Sequence, residues 1–204
     1  MTVIPETPTR MPAEQRRESI LSAATEVFGE RGYVGATTDA VAKAAGVSQP
    51  YVVRMFGTKE NLFLEVLHRA LERLLATFRG VIAEHPDEVG CEPLAGRIGA
   101  AYADLLADRG LLLSLMQAFM LGADPVVGPA AREGFLQVYR LLREEAGFTP
   151  EQADQFLSHG MMLNTLVAIG MAGDYASDPR ARELVDVCLP SKAPLVVALA
   201  KKPA

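Results

Sequence analysis

The residues predict an all-α fold in two parts: a small N-terminal three-helix unit holding a helix-turn-helix, and a larger helical domain joined to it by one long helix. Three observations carry this. Apolar residues recur at helical spacing along most of the 204-residue chain, and no segment shows the strict alternation of a half-buried strand. The stretch TTDAVAKAAGVSQPYVVRMF, residues 37–56, reads as two short helices about a tight turn. From Thr58 to about Glu84, apolar residues from Leu62 to Ile82 keep a 3.6-residue rhythm without interruption. A helix of that length spans on the order of 40 Å, which makes it a connecting rod.

Residues 1–11 carry prolines and no periodicity and are expected to form a flexible arm. Pro12 suits the first turn of helix one, whose stripe is Ile20, Leu21, Ala24, Val27 and Phe28; Gly32 is expected to stop it near Arg31. Arg16 and Arg17 sit near its start, where the helix dipole offers them nothing, so they suit a surface or phosphate-facing position. Thr37 or Thr38 caps helix two, which runs to about Ala45 with Val41 and Ala42 inward. Gly46 supplies the turn, and Ser48 is a suitable N-cap for the helix that follows.

That third helix divides into two faces. Val52 and Phe56, four apart, belong to the core, which leaves Gln49, Pro50, Tyr51 and Arg54 on the other side. Gln and Arg can each read a base edge through two hydrogen bonds, and Tyr can bond a phosphate. In a helix-turn-helix the second helix enters the DNA major groove while the first crosses the backbone. Thr38 and Lys59 then flank it as phosphate anchors, Lys59 beside the free amides that open the long helix. The DNA-binding candidates are therefore Thr38, Ser48, Gln49, Pro50, Tyr51, Arg54 and Lys59, within a domain spanning 12–57.

Beyond the rod, helices are expected at about 93–107, 111–121, 126–146, 150–171 and 179–188. Thr149, Pro150 and Gln152 make a capping box with proline at the first helical position, a specific start signal. Residues 195–200 are apolar enough to pack as a last turn.

The net charge of −5 argues against indiscriminate attraction to phosphate. Its distribution matters more: residues 1–60 hold seven Lys or Arg against seven Asp or Glu, so all of the deficit lies in residues 61–204, with thirteen against eighteen. DNA binding would need directed contacts. Cys91 and Cys188 give neither a disulfide framework nor metal-ligand spacing, and His68, His85 and His159 are too scattered for a metal site. With no signal-like N-terminus and no apolar run of membrane-spanning length, a cytoplasmic protein without a membrane partner is expected. No metal and no cofactor is expected.

The stretch RRESILSAATEVFGERGYVGATTDAVAKAAGVSQPYVVRMFGTKENLFLEV, from Arg16 to Val66, resembles the TetR family of transcriptional regulators. The resemblance rests on Ala23 and Ala24, Gly32 and Tyr33, Thr38, Ala45 to Ser48, Phe56, Lys59 and Glu60, and Leu62 and Phe63, in that order. It covers about a quarter of the chain. One position departs: the family commonly has a Tyr three residues before the Phe, where this chain has Val53, and Tyr51 lies on a different face.

The resemblance implies a repressor that binds a palindromic double-stranded DNA operator as a homodimer and is released by a small, largely apolar effector. Residues 58–204 then form the ligand-binding and dimerisation domain. Apolar candidates for the pocket are Phe78, Tyr102, Leu106, Met116, Phe119, Met120, Phe135 and Tyr139. Met is deformable and a buried phenol wants a partner, but any one of these residues serves equally as plain core. The segment SHGMMLNTLVAIGMAG suggests a dimer face of Phe156, Gly160, Leu163, Asn164 and Val167, where small residues permit close helix approach. Two other classes were weighed. An enzyme lacks material, with no HExxH, GxSxG or P-loop; a helical protein-interaction adaptor would leave Gln49, Tyr51 and Arg54 exposed together without purpose.

Overall fold

The computed structural model describes residues 12–105 and 108–189, and within them every regular element is helical. The helices are α1 (Ala13–Gly35), α2 (Thr38–Ala44), α3 (Gln49–Phe56), α4 (Lys59–Glu84), α5 (Glu92–Leu105), α6 (Arg109–Met120), α7 (Val127–Glu144), α8 (Pro150–Ala168) and α9 (Pro179–Cys188), with 3₁₀ turns at Pro86–Glu88 and Met171–Asp174. The expected arm at 1–11, the apolar turn at 195–200 and the pocket candidate Leu106 lie outside the described residues.

The starts of these helices follow their capping chemistry. Thr37, rather than Thr38, caps α2, its hydroxyl accepting from the Ala40 amide. Thr58 caps α4 through the Asn61 amide, and the Thr149–Gln152 box closes in both directions at the head of α8. Ser48 holds the N-cap position of α3 with extended backbone, but its side chain makes no capping bond. Pro12 precedes the first turn of α1 instead of entering it.

Helix one does not end at Arg31. Gly32 takes φ 72°, which kinks the helix, and one further turn continues to Gly35. The break is where glycine predicts it; the extra turn forms because Ala36 N–H reaches back to the Gly32 carbonyl. Gly46 has φ 65°, and around it the Gly46 and Val47 amides bond the Lys43 and Ala42 carbonyls. An L side chain at φ 65° is disfavoured, so the tight α2–α3 turn requires this glycine. Helix α8 ends at Ala168, three residues short of the expected Met171, which opens the 3₁₀ turn.

Two apolar clusters organise the chain. The first joins Ile20, Leu21, Val27 and Phe28 of α1, Val41 and Ala42 of α2, Val52 and Phe56 of α3, and Leu62, Phe63 and Val66 of α4. It also takes Ala118 from α6 and Val127 from α7, so the DNA-binding unit does not close on itself. The second gathers Leu74, Leu75 and Phe78 of α4 with α5, α7, α8 and α9. The rod α4 thus supplies both cores. Helix α6 crosses α1 closely: a Cβ at Gly29 would stand 2.8 Å from the Gly110 Cα, and Gln117 Nε2 donates to the Phe28 carbonyl at 2.7 Å.

Candidate nucleic-acid interface and ligand cavity

Helix α3 turns Val52 and Phe56 into the first core and leaves its other side outward. At its edge Tyr51, half-buried and packed against the first core, has two guanidinium groups near its ring, Arg54 5.0 Å and Arg16 5.8 Å from the centroid. Cation–π attraction holds both charges beside one aromatic plate. Arg16 of α1 thereby stands beside the candidate residues of α3. Sequence reasoning placed it only as surface or phosphate-facing; the signal for more was its one-turn offset from the core residue Ile20. Gln49 is half-buried and donates to the Thr38 hydroxyl at 3.3 Å, so these two candidates meet each other across the α2–α3 turn. Ser48, Pro50 and Arg54 are exposed.

Lys59 has a different setting from the free phosphate anchor expected. Its ammonium donates to the Tyr33 carbonyl at 3.0 Å and stands 4.5 Å from the Tyr33 ring centroid. Tyr33 in turn donates to Glu60 Oε1 at 3.2 Å. Burial, reinforced by that bond and by the carboxylate's charge, pushes the Tyr33 phenol up to about 12, so it remains a donor. The Glu60 carboxyl is held below its usual range, first by its own backbone amide and next by the Thr58 hydroxyl. Lys59, Tyr33 and Glu60 together fasten the end of α1 to the start of α4. Val53 is 38% exposed beside Arg54 on the outer side of α3.

A cavity of about 730 Å³ opens along α4. Phe78, Tyr102, Phe119 and Phe135 line it as expected candidates, whereas Met116, Met120 and Tyr139 do not. Met116 and Tyr139 pack against the second core, and Met120 is 86% exposed at the last turn of α6. Periodicity marks these residues as apolar but does not say which of them faces a void.

The positions expected at a dimer face point inward. Phe156, Gly160 and Asn164 line the cavity, Leu163 is buried in the second core and Val167 packs against it. The reason is rotational: α8 is apolar on more than one side, and the side bearing Gly160 is taken by Tyr102, whose ring would stand 3.8 Å from a Cβ there. The outward side carries Met162 and Ile169, and α9 beside it exposes Leu184 and Val187. His159 Nε2 lies 2.9 Å from the Cys188 carbonyl and joins the two helices.

The cavity also reaches the N-terminal unit. Met55 and Phe56, at the end of α3, form part of its wall together with Asn61, Leu64 and Glu65 of α4. The Arg17 guanidinium stands 5.4 Å from the Phe56 ring centroid and pairs with Glu65 at 2.9 Å.

Residues 20–66 match the model of the bacterial regulatory proteins of the tetR family. The chain carries a TetR-family domain. Among characterised relatives, the HTH-type transcriptional activator FasR of Mycolicibacterium smegmatis is 40% identical over 78 residues, 38% of this chain and 36% of that protein. The HTH-type transcriptional repressor AcnR of Corynebacterium glutamicum is 40% identical over 58 residues, 28% of this chain and 31% of that protein. The chain thus matches about a third of the length of these relatives. Family and relatives are transcriptional regulators, not enzymes. A solved regulator from Pseudomonas aeruginosa PAO1 aligns with a TM-score of 0.61 at 20% identity, covering 95% of this chain and 96% of that one. One from Rhodococcus sp. Rha1 aligns at 0.59 and 24%, covering 92% and 99%. A solved TetR-family regulator from Mesorhizobium loti aligns at 0.59 and 20%, covering 93% and 98%, so the likeness in fold extends well beyond the matched domain. Among the described residues no helix is long and apolar enough to cross a membrane.

Proposed function

We propose that the protein is a transcriptional regulator that binds a palindromic operator as a homodimer and is released, as a repressor, when a small apolar molecule occupies the cavity along α4. The observation that carries the reading is a continuity: the cavity wall includes Met55 and Phe56 of the helix that carries the base-facing candidates Gln49, Tyr51 and Arg54, the last of them exposed. A ligand pressing on that wall displaces the reading helix directly.

Two such helices must stand about 34 Å apart to enter successive major grooves on one side of a duplex. The outward apolar face of α8 and α9, with Ile169 63% and Val187 68% exposed, supports pairing of two copies there. With α8 and α9 fixed in the seam, rotation of α4 changes the separation of the reading helices. The FasR and AcnR names include both an activator and a repressor. The shared wall supports coupling of ligand to the reading helix, and release is the sense proposed for it.

The test is a mobility shift with DNA from the protein's own promoter region. Binding is expected to fall steeply with salt, and Arg54→Ala, with helicity and unfolding midpoint unchanged, is expected to abolish the shift at salt concentrations where the wild type binds. Retention of full binding by Arg54→Ala, or failure of the wild type to bind any neighbouring promoter fragment at low salt, overturns the proposal.

A further inference from the structure

We infer that the cavity takes an elongated, uncharged molecule with an apolar body and a hydrogen-bond acceptor at its inner end, received by Asn164. This rests on the reading of the cavity as an effector site and names the ligand class of that site.

Shape comes first. On α4 the wall runs from Asn61 to Phe78, eight lining residues over seventeen residue steps, a rise of about 25 Å. A wall of that length suits an extended chain or a row of flat rings better than a globular molecule.

Charge comes next. Among the described residues, no Lys or Arg lines the cavity, and two carboxylates do, Glu65 and Glu133. An anionic ligand would meet negative charge without a lining cation to receive it. A cationic ligand would have to compete with ion pairs already made, Arg17 to Glu65 at 2.9 Å and Arg140 to Glu133 at 3.9 Å, while Gln137 also donates to Glu133. His68, also on the wall, faces Glu72 at 3.5 Å. An uncharged ligand meets neither obstacle.

The inner end supplies the polar contact. Asn164 is 6% exposed, and its Oδ1 accepts from the Tyr102 hydroxyl at 2.5 Å. Burial pushes the Tyr102 phenol up to about 12, so it keeps its proton and holds the amide in one orientation. The Nδ2 group then has two N–H donors and, as its recorded contact, the Met161 sulfur at 3.9 Å, a weak acceptor. A buried amide donor without a good acceptor is unfavourable, and an ester, ketone or ether oxygen in the cavity would satisfy it.

The full chain would be titrated by calorimetry with methyl laurate, laurate, the lauryl trimethylammonium cation and dodecane. Methyl laurate is expected to bind most tightly. Asn164→Leu should weaken it roughly three- to tenfold while leaving dodecane unchanged. Tyr102→Phe, which frees the amide to rotate, should weaken methyl laurate by a smaller factor, and this variant carries the test if Asn164→Leu does not fold. Tighter binding of laurate or the cation, equal ester affinity in wild type and both variants, or no binding of any probe overturns the inference. An operator shift run alongside separates the two readings: Asn164-dependent ester binding without operator release overturns the effector reading alone. Operator release by laurate overturns this inference alone.

Discussion

Tyr51 has Arg16 and Arg54 near its ring, an arrangement that serves the two cations as much as the phenol. Each cation–π contact at an exposed site contributes about 0.5–1 kcal/mol and fixes a guanidinium that would otherwise sample many rotamers. Tyr51→Phe keeps the plate, and Tyr51→Ala removes it. Operator affinity is therefore expected to fall by well under tenfold in the first and by more than tenfold in the second, measured by titrated mobility shift. Equal losses would mean that the hydroxyl, not the ring, makes the contact. Val53 permits the converse experiment. The family commonly has Tyr at this position, and here the side chain is partly exposed beside Arg54. Val53→Tyr is expected to tighten operator binding by roughly tenfold at fixed salt, since one added hydrogen bond to a charged phosphate contributes about 1.5 kcal/mol; unchanged or weaker binding would show that the phosphate does not pass there. Lys59 belongs with the fold more than the interface. Its bond to the Tyr33 carbonyl would be lost in Lys59→Met, and the unfolding midpoint is expected to drop by an amount equivalent to about 1–2 kcal/mol.

Between α1 and α6 the glycines meet. The Cβ of Gly29→Ala would lie 2.8 Å from the Gly110 Cα, and that atom is backbone, with no rotamer to move aside. Alanine gains helix propensity of about 1 kcal/mol over glycine, but parting two packed helices costs about 1–3 kcal/mol. Gly29→Ala is expected to lower the chemical unfolding midpoint; a raised midpoint would show that the crossing has room. This contact also marks how far the sequence could be read. The helix-turn-helix, the Thr58 start of α4 and the Thr149 capping box were legible because each rests on neighbouring residues, glycine at the turn or hydroxyl before the first turn. The α1–α6 crossing was not, because Gly29 and Gly110 lie far apart in the chain and nothing local distinguishes a glycine at a helix crossing. The rotation of α8 was hidden for a related reason: Gly160 and Asn164 were visible as small and polar residues, but their partner Tyr102 comes from α5. Arg16 was legible as a surface cation, and its meeting with Tyr51 was not.

At the scale of the molecule, α4 is shared by both cores and by the cavity, so the first turn of α4 and the end of α3 cannot be indifferent to what fills the space between them. Coupling of this kind is reciprocal: whatever factor the ligand takes from operator affinity, the operator takes from ligand affinity. For the proposed switch to go from almost wholly bound to almost wholly released, a ligand must prefer the released form by about 5.5 kcal/mol. Met55 is the residue through which this is best tested. It lies on the wall of the cavity at the last turn of α3, half-buried, while neither the exposed Arg54 nor the Gln49–Thr38 bond depends on it. Met55→Ala removes the part of the wall that a ligand would push. Operator affinity without ligand should change little, and ligand affinity of the free protein should fall only by the lost contact. The ratio of ligand affinities in the absence and presence of operator should shrink towards one. That ratio is measured by titrating ligand into free protein and into the operator complex for wild type and variant. If Met55→Ala leaves the ratio unchanged while ligand still binds, the coupling runs through the α1–α6 crossing and the Arg17–Glu65 pair instead of the shared wall.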